Sequence, residues 1–279
     1  MQRAITFVVP TNNREILQRN FLASPCLRGT HSHQIIVQEG YASASKAYND
    51  AIDQSQNDLM VFLHSDIILP EQWLADLERA LQWLEKEDPA WGVIGTYGET
   101  LDDNGRGYIY SSGLGIMGKP FDRPAQIQTL DEIVLIFRKS SGLRFDPSLP
   151  KFHMYGTDIC MAAQDTGRRN YAISAFCVHN TQPGLVLSEE FYECYWHVQQ
   201  KWKKYLPIQT TCIRITRSNA AMYRRKIGEA YLRYCRPGKE FGGHRRPDVP
   251  QLMADVETLL AQKGVETPRS LGSLREVNA

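Results

Sequence analysis

The chain lacks the features that mark a metal-scaffolded, membrane-spanning or nucleic-acid-binding protein. Its six cysteines, Cys26, Cys160, Cys177, Cys194, Cys212 and Cys235, lie far apart with no C-x-x-C pair. No zinc or redox framework is legible in that spacing. No apolar run approaches the roughly 20 residues needed to span a bilayer. Met1-Gln2-Arg3 followed by Ile5-Thr6-Phe7-Val8-Val9 is too short for a signal-peptide core and stops at Pro10. Scattered cysteines without a signal peptide fit a reducing compartment. These absences predict a soluble, cytoplasmic protein. A dominant sign of charge is missing too: 32 Lys and Arg against 31 Asp and Glu leave a net charge of +1, so no nucleic-acid partner is expected.

What is present fits one large domain, or one domain with an extension, at 279 residues. The charge is unevenly placed. From Lys201 to Arg246 thirteen Lys and Arg residues face only Glu229 and Glu240. Such a run is either a solvated helical face or a surface for a phosphorylated acceptor, an anionic lipid surface or an acidic partner.

Hydrophobic patterning alternates strand and helix through the first hundred residues. Ile5 to Val9 reads as a strand closed by the turn-rich Pro10-Thr11-Asn12-Asn13, and Arg14 to Leu22 as a short helix. Gln34 to Val37 is a second strand, Ser43 to Gln54 an alanine-rich helix, and Leu59 to Leu63 a third strand, apolar throughout and therefore buried on both faces. Leu74, Leu77, Leu81 and Leu84 recur at helical spacing after Pro70, and Trp91 to Tyr97 is a fourth strand. This β-α-β-α-β-α-β order predicts a parallel sheet with right-handed crossovers. Gly98 to Thr129 has no periodicity and reads as a long substrate loop or lid. Its Gly113-Leu114-Gly115-Ile116-Met117-Gly118 is formally G-x-G-x-x-G, but Lys119-Pro120 follows where a helix is required, so a dinucleotide site is rejected. Glu132 to Arg138 and Ala172 to Val178 are further strands. Helices are expected over Tyr155 to Thr166, from Ser188 to Tyr205 and over Val249 to Gln262, with a disordered tail.

Three polar residues stand at the ends of these elements. Asp66 follows the third strand, Asp158 opens a helix, and His179 closes a strand. A carboxylate and an imidazole converging at a sheet's carboxyl edge suit a divalent cation, and a diphosphate suits the rest of its coordination shell. A second carboxylate off the metal is free to act as a base. Each residue taken alone is equally a cap or a satisfied polar group.

Several segments together sharpen this. They are Val8-Val9-Pro10-Thr11-Asn12-Asn13-Arg14, Ala42-Ser43-Ala44-Ser45-Lys46-Ala47-Tyr48-Asn49, Val61-Phe62-Leu63-His64-Ser65-Asp66, Leu130 to Arg138, Gly142-Leu143-Arg144-Phe145-Asp146 and Gly156-Thr157-Asp158-Ile159-Cys160. In this order and spacing the chain resembles a nucleotide-sugar-dependent glycosyltransferase of the GT-A fold, family 2-like, closest to the StrF-type, streptomycin-biosynthesis-like domain. The resemblance implies a GT-A, nucleotide-diphospho-sugar transferase fold: a mainly parallel central sheet flanked by helices over 1–206, then a basic, mostly helical extension over 207–279. It implies a hexosyl transfer from a nucleotide-sugar donor, a UDP-sugar, to an acceptor hydroxyl, with inversion and with Mn2+ or Mg2+. Asp66 matches the last acid of D-x-D and His179 the downstream histidine, together the metal ligands. Asp158 matches the second acid of E-D, the general base. Pro10, Thr11, Asn13, Glu39, Lys46, His64 and Ser65 fall in the nucleotide-binding positions.

Two residues depart from the pattern. His64 stands where the first acid of D-x-D belongs, and Thr157 where the first acid of E-D belongs. The former puts metal dependence in question and leaves a second reading open, a catalytically silent nucleotide- or partner-binding module of the same fold. A nucleotidyltransferase is disfavoured because no glycine-rich, basic phosphate loop follows the first strand. Trp196 and Trp202 either stack on a sugar or pack their helix against the sheet. The loop Thr181 to Leu187 is a second candidate lid.

Overall fold

The computed structural model describes residues 3–28, 33–181, 186–235 and 246–263. In chain order the elements are β1 (Ile5–Pro10), α1 (Arg14–Arg19), β2 (Gln34–Gln38), α2 (Ala44–Gln54), β3 (Leu59–Leu63), β4 (Ile67–Ile68), α3 (Trp73–Glu87), β5 (Ile94–Gly95) and β6 (Tyr97–Glu99). There follow β7 (Gly105–Ser111), β8 (Gly115–Gly118), β9 (Ala125–Ile127), β10 (Thr129–Leu130), β11 (Val134–Arg138), α4 (Tyr155–Asp165), β12 (Asn170–Ala172) and β13 (Cys177–His179). The last three are α5 (Glu189–Lys201), α6 (Ala220–Cys235) and α7 (Val249–Gln262).

The fold is mixed α/β with a central sheet flanked by helices. That sheet runs β2-β1-β3-β11-β5-β12-β9. Pairing is parallel for β1 with β2 and β3 and for β12 with β5, and antiparallel wherever β11 or β9 takes part. Five of the seven strands, all but β11 and β9, therefore point one way. The all-apolar β3 sits between β1 and β11 and is buried along its whole length, as its composition predicts.

The sequence expectation fails most clearly between Gly98 and Thr129. No open loop lies there. Instead β7, β8 and β9 form, and β10-β6-β7-β13-β4 make a second sheet with β8 on the flank of β7. The Gly113–Gly118 segment turns at Ser112 to Leu114 and pairs β8 back on β7, so its glycines serve a hairpin rather than a phosphate loop. Gly118, at φ 75°, has the β7 backbone so close that any Cβ would collide with the Gly107 carbonyl. Short strands rich in glycine carry too few alternating apolar residues for a strand signature.

Other boundaries move for local reasons. The expected strand at Trp91–Tyr97 divides into β5 and β6, and that at Ala172–Val178 into β12 and β13, each half joining a different sheet. The strand expected from Glu132 begins at Val134, and the helix expected from Pro70 begins at Trp73. Helix α1 ends at Arg19, and the chain continues through a tight turn at Phe21–Ala23. Most of the Thr181–Leu187 lid and most of the expected disordered tail lie outside the described residues.

An aromatic cluster joins the central sheet to its helices. Phe62 of β3 stacks on Phe137 of β11 at 4.7 Å and meets Tyr48 of α2 and Phe145 edge-on. Tyr48 in turn contacts Tyr155, the first residue of α4. Gly156 permits this: a Cβ there would lie 2.9 Å from the Leu130 carbonyl, so only glycine lets α4 approach so closely. A smaller core joins Ile68, Tyr108, Tyr110, Phe176 and Val178 of the second sheet to Val249, Leu252, Met253, Val256 and Leu260 of α7. The C-terminal helix is thus seated on strands β4, β7 and β13. Among the described residues no helix is long and apolar enough to cross a membrane.

Because Phe62 is fully buried among three other rings, Phe62→Ala is expected to destabilise the fold by about 3–5 kcal/mol. Leu101→Ser, at a site 69% exposed, is expected to change stability by under about 0.5 kcal/mol. Urea midpoints of the two variants decide it.

Candidate functional site

The site forms where the chain passes from one sheet to the other. β3 ends at Leu63 in the central sheet and β4 begins at Ile67 in the second, so His64-Ser65-Asp66 is the crossing between them. On the second sheet β13 pairs antiparallel with β4, with His179 opposite Ile67. That register brings His179 Nε2 to 3.3 Å from Asp66 Oδ1. The Asn180 N–H also donates to the Asp66 carbonyl at 2.9 Å. His64, Asp66 and His179 each offer a ligand atom within 4.8 Å of the others.

Second contacts orient these groups. Tyr155 Oη donates to the Glu132 carbonyl at 3.2 Å and lies 2.8 Å from His64 Nε2. The contact with Tyr155 fixes the orientation of the His64 ring. Two non-glycine residues, Lys151 and Met154, adopt left-handed conformations just before α4. Such strain, about 1–3 kcal/mol per residue, is maintained only where surrounding structure fixes it. Here it sets Phe152 and Tyr155 against the site.

Electrostatics prepare the cluster for a cation. Burial pushes the Asp66 carboxyl up, but the hydrogen bond and charge of His179 and the charges of His64 and Arg246 outweigh it, bringing the pKa down to about 2. Burial lowers His64, opposed by the Asp66 charge, so its imidazole favours the neutral, ligating form. An ionised carboxylate and neutral imidazole nitrogen are the donors Mn2+ accepts, with phosphate oxygens and water for the remaining positions. The residues present fit such an ion.

A cavity of about 420 Å³ opens beside the crossing. It lies at the carboxyl ends of β1, β2 and β3, the edge where α/β sheets collect ligands. Pro10, Thr11, His64, Ser65 and Asp66 line it, as does Arg246 from the C-terminal segment. Gln38 also lines it, and Gln38 Nε2 and Arg246 Nε are buried with no hydrogen-bond partner among the described residues. Buried donors without acceptors are rare, and both belong to residues of this one cavity. A larger cavity, about 540 Å³, opens between α3 and the second sheet, but the metal-capable cluster is not among its walls.

The remaining expected residues are placed differently. Asn13 accepts from the N–H groups of Glu15 and Ile16 and so caps α1. Glu39 lies between two lining residues, yet its carboxylate is taken by Arg14 at 2.6 Å. Lys46 is exposed on α2. Asp158 is turned towards α5: Trp202 Nε1 donates to Oδ1 at 2.7 Å and Lys201 Nζ to Oδ2 at 3.0 Å. Its side chain is 2% exposed and it does not line the cavity. Burial raises its pKa, against the charge and hydrogen bond of Lys201 and the hydrogen bond of Trp202. Trp202 therefore packs and caps a carboxylate, whereas Trp196 stays half-buried beside a shallow cleft with Asp146 and His197.

Sequence reasoning missed Gln38, Tyr41, Phe152, Tyr155 and Arg246. Tyr155 sits next to the recognisable Gly156-Thr157-Asp158 and was open to notice. Arg246 had no signal, since 180 residues separate it from its partner Asp66.

No family model matches the sequence. The "ATP synthase subunits region ORF 6" protein of Fuscovulum blasticum is 28% identical over 153 residues, 53% of this chain. The match spans 61% of that protein's length. Among solved structures, S. aureus TarS overlays with a TM-score of 0.48 at 12% identity, covering 97% of this chain and 50% of that one. TarS 1–349 in complex with UDP gives 0.46 at 12% identity, with 98% and 87% covered. The mannosyltransferase PcManGT of Pyrobaculum calidifontis, in complex with GDP-Man and Mn2+, gives 0.45 at 13% identity, with 97% and 78% covered. The overlays are shallow and the identities low, so the functional reading rests on the site itself.

Asp66 has a depressed pKa, so its stabilising contribution is complete above the unfolded value near 3.8 and is lost as pH falls towards about 2. Asp66→Asn is expected to cost about 2 kcal/mol at pH 7. The gap to wild type should shrink below about pH 4 and close only as pH falls to about 2, where wild type also loses the charge. Thermal melts of both proteins from pH 7 to pH 2 test this, and a gap independent of pH would show that the cations do not hold the carboxylate.

Proposed function

We propose that this chain is a GT-A glycosyltransferase, family 2-like and StrF-type, that moves a hexose from a nucleotide-sugar donor, a UDP-sugar, to an acceptor hydroxyl with inversion. The observation that carries the reading is the cavity itself. His64 and Asp66 line it, with His179 paired to Asp66 beyond the lining, and the donor-bearing side chains of Gln38 and Arg246 line it too. A diphosphate with a base attached supplies what both lack: negative oxygens for the cluster's cation and acceptors for the donors. The six free cysteines, four of them buried, are in keeping with a cytoplasmic location.

When bound, Mn2+ or Mg2+ would neutralise charge gathering on the departing diphosphate. His64, Asp66 and His179 would hold it, with His64 oriented by Tyr155. His64 thereby takes over from the missing acid as a neutral ligand. Thr11, Ser65 and Gln38 would meet the nucleotide, while Pro10 shapes the cavity floor. Asn13 acts through α1, fixing the turn that bears Thr11, and Glu39 and Lys46 border the base side. Asp158 is the proposed base. Its raised pKa suits proton acceptance, and the approach of an acceptor must first draw it from Lys201 and Trp202.

The second reading, a catalytically silent module, is favoured by one observation, the closed Arg246–Asp66 pair at the metal position. Calorimetry with UDP and GDP, with and without Mn2+, separates the two. The transferase reading expects nucleotide binding that strengthens at least tenfold with Mn2+, through the Lewis-acid contact. Asp158→Asn is expected to lower transfer or donor hydrolysis by about 10²–10⁴-fold, the usual worth of a base. Full activity in that variant would move the base elsewhere.

The basic C-terminal region points to an anionic surface as partner. Tyr223, Ile227, Tyr231 and Tyr234 recur at helical spacing on α6 and are 55%, 71%, 54% and 79% exposed. Arg224 and Arg233 border this stripe, both exposed and with no partner among the described residues. Aromatic and aliphatic side chains flanked by cations suit the interface of an anionic bilayer. Binding to phosphatidylglycerol vesicles, weak on phosphatidylcholine, is expected in co-sedimentation. Arg224→Glu with Arg233→Glu should weaken it by about tenfold or more, at roughly 1 kcal/mol per basic residue. Self-association through the stripe, read by light scattering without vesicles, would overturn the bilayer assignment.

A further inference from the structure

The cavity contains a cation that the chain supplies for itself. Arg246 Nη2 lies 2.9 Å from Asp66 Oδ2, while His179 takes Oδ1. Both oxygens of the carboxylate are therefore engaged. Arg246 lines the cavity, and its Nε–H, in the same guanidinium, is buried with no acceptor among the described residues. A guanidinium presents its donors in a fixed planar fork that matches carboxylate or phosphate oxygens two at a time. Here half of the fork is used.

The backbone at this point is anchored. Asn180 Nδ2 donates to the Pro247 carbonyl at 3.3 Å, and the N–H of the same Asn180 donates to the Asp66 carbonyl. Three residues after Arg246, α7 begins, and its apolar face is packed on β4 and β13, the strands that flank Asp66 and end in His179. The arginine is thus held beside the metal position by contacts with the strands that carry the ligands.

From this we infer that Arg246 is a diphosphate-binding residue that stands in for the metal when none is bound. The inference rests on the transferase reading. A divalent ion and a guanidinium cannot share Asp66 Oδ2 without like-charge repulsion. An arriving ion therefore displaces Arg246 from the carboxylate. The freed fork of Arg246, a residue that lines the cavity, would then be available to phosphate oxygens of the nucleotide. Metal alone meets resistance at this site, whereas metal together with a diphosphate does not, because the diphosphate receives the arginine. The same exchange keeps the buried Asp66 paired in the metal-free protein, where an unpartnered carboxylate would be costly.

The test is a pair of titrations on the full chain, Arg246→Ala and Arg246→Met each against wild type. Free Mn2+ is read by electron paramagnetic resonance, and UDP binding in saturating Mn2+ by calorimetry. Loss of the competing cation is expected to tighten Mn2+ binding without nucleotide by about tenfold, and loss of the fork to weaken UDP binding with Mn2+ by about tenfold or more. Opposite signs in the two titrations distinguish exchange from a structural role. Weakening of both, or an unchanged UDP affinity, overturns the inference while leaving the transferase reading intact. If wild type binds no UDP even with Mn2+, both fall. Arg246→Met keeps the aliphatic packing, so a folding defect confined to Arg246→Ala does not blunt the result.

Discussion

A buried carboxylate must have partners, and the arrangement of this molecule turns on how Asp66 obtains them. Its residue is 8% exposed, at one of the points where the chain leaves the central sheet for the second. Neither partner comes from nearby sequence. His179 arrives because β13 pairs with β4, and Arg246 because α7 packs on the same strands. The second sheet and the C-terminal helix are therefore conditions for an ionised Asp66 at this depth.

The same economy of contacts sets the histidines. His64 is steered by Tyr155, Tyr155 by the Glu132 carbonyl and by the aromatic cluster around Phe62, and that cluster is the core of the central sheet. Packing is therefore transmitted to a ring nitrogen. A histidine at position 64 adds no negative charge to the site, so Asp66 is the carboxylate that the Arg246 guanidinium balances. The Arg246–Asp66 pair and a neutral His64 are physically related in this way.

Much of the frame was legible in the sequence. β1, β2, β3 and the helices between them follow from apolar runs and helical spacing, and the position of His64-Ser65-Asp66 at a strand end follows from Leu59–Leu63 alone. The pairing of Asp66 with His179 was named because both close strands. The second sheet was not legible, because β6, β8 and β10 are short, β7 carries two glycines at its start, and β13 joins β7 and β4 only by long-range pairing. Asp158 illustrates a different limit. Its location at a helix start could be read, but its direction could not. That direction was settled by Lys201 and Trp202 at the end of α5, whose side chains reach a neighbouring helix.

The sequence by itself determined which residues have the chemistry to bind a cation and which segments form the buried strands, since both depend on side-chain type and local period. Only the tertiary structure decided that Asp66 is shared between a histidine and an arginine, that Gln38 and Arg246, each with an unpaired donor among the described residues, line one cavity, and that Asp158 faces away from it. Those are matters of direction and of long-range pairing. They are fixed by sheet register and helix docking between segments as distant as Asp66 and Arg246, for which a linear pattern carries no signal.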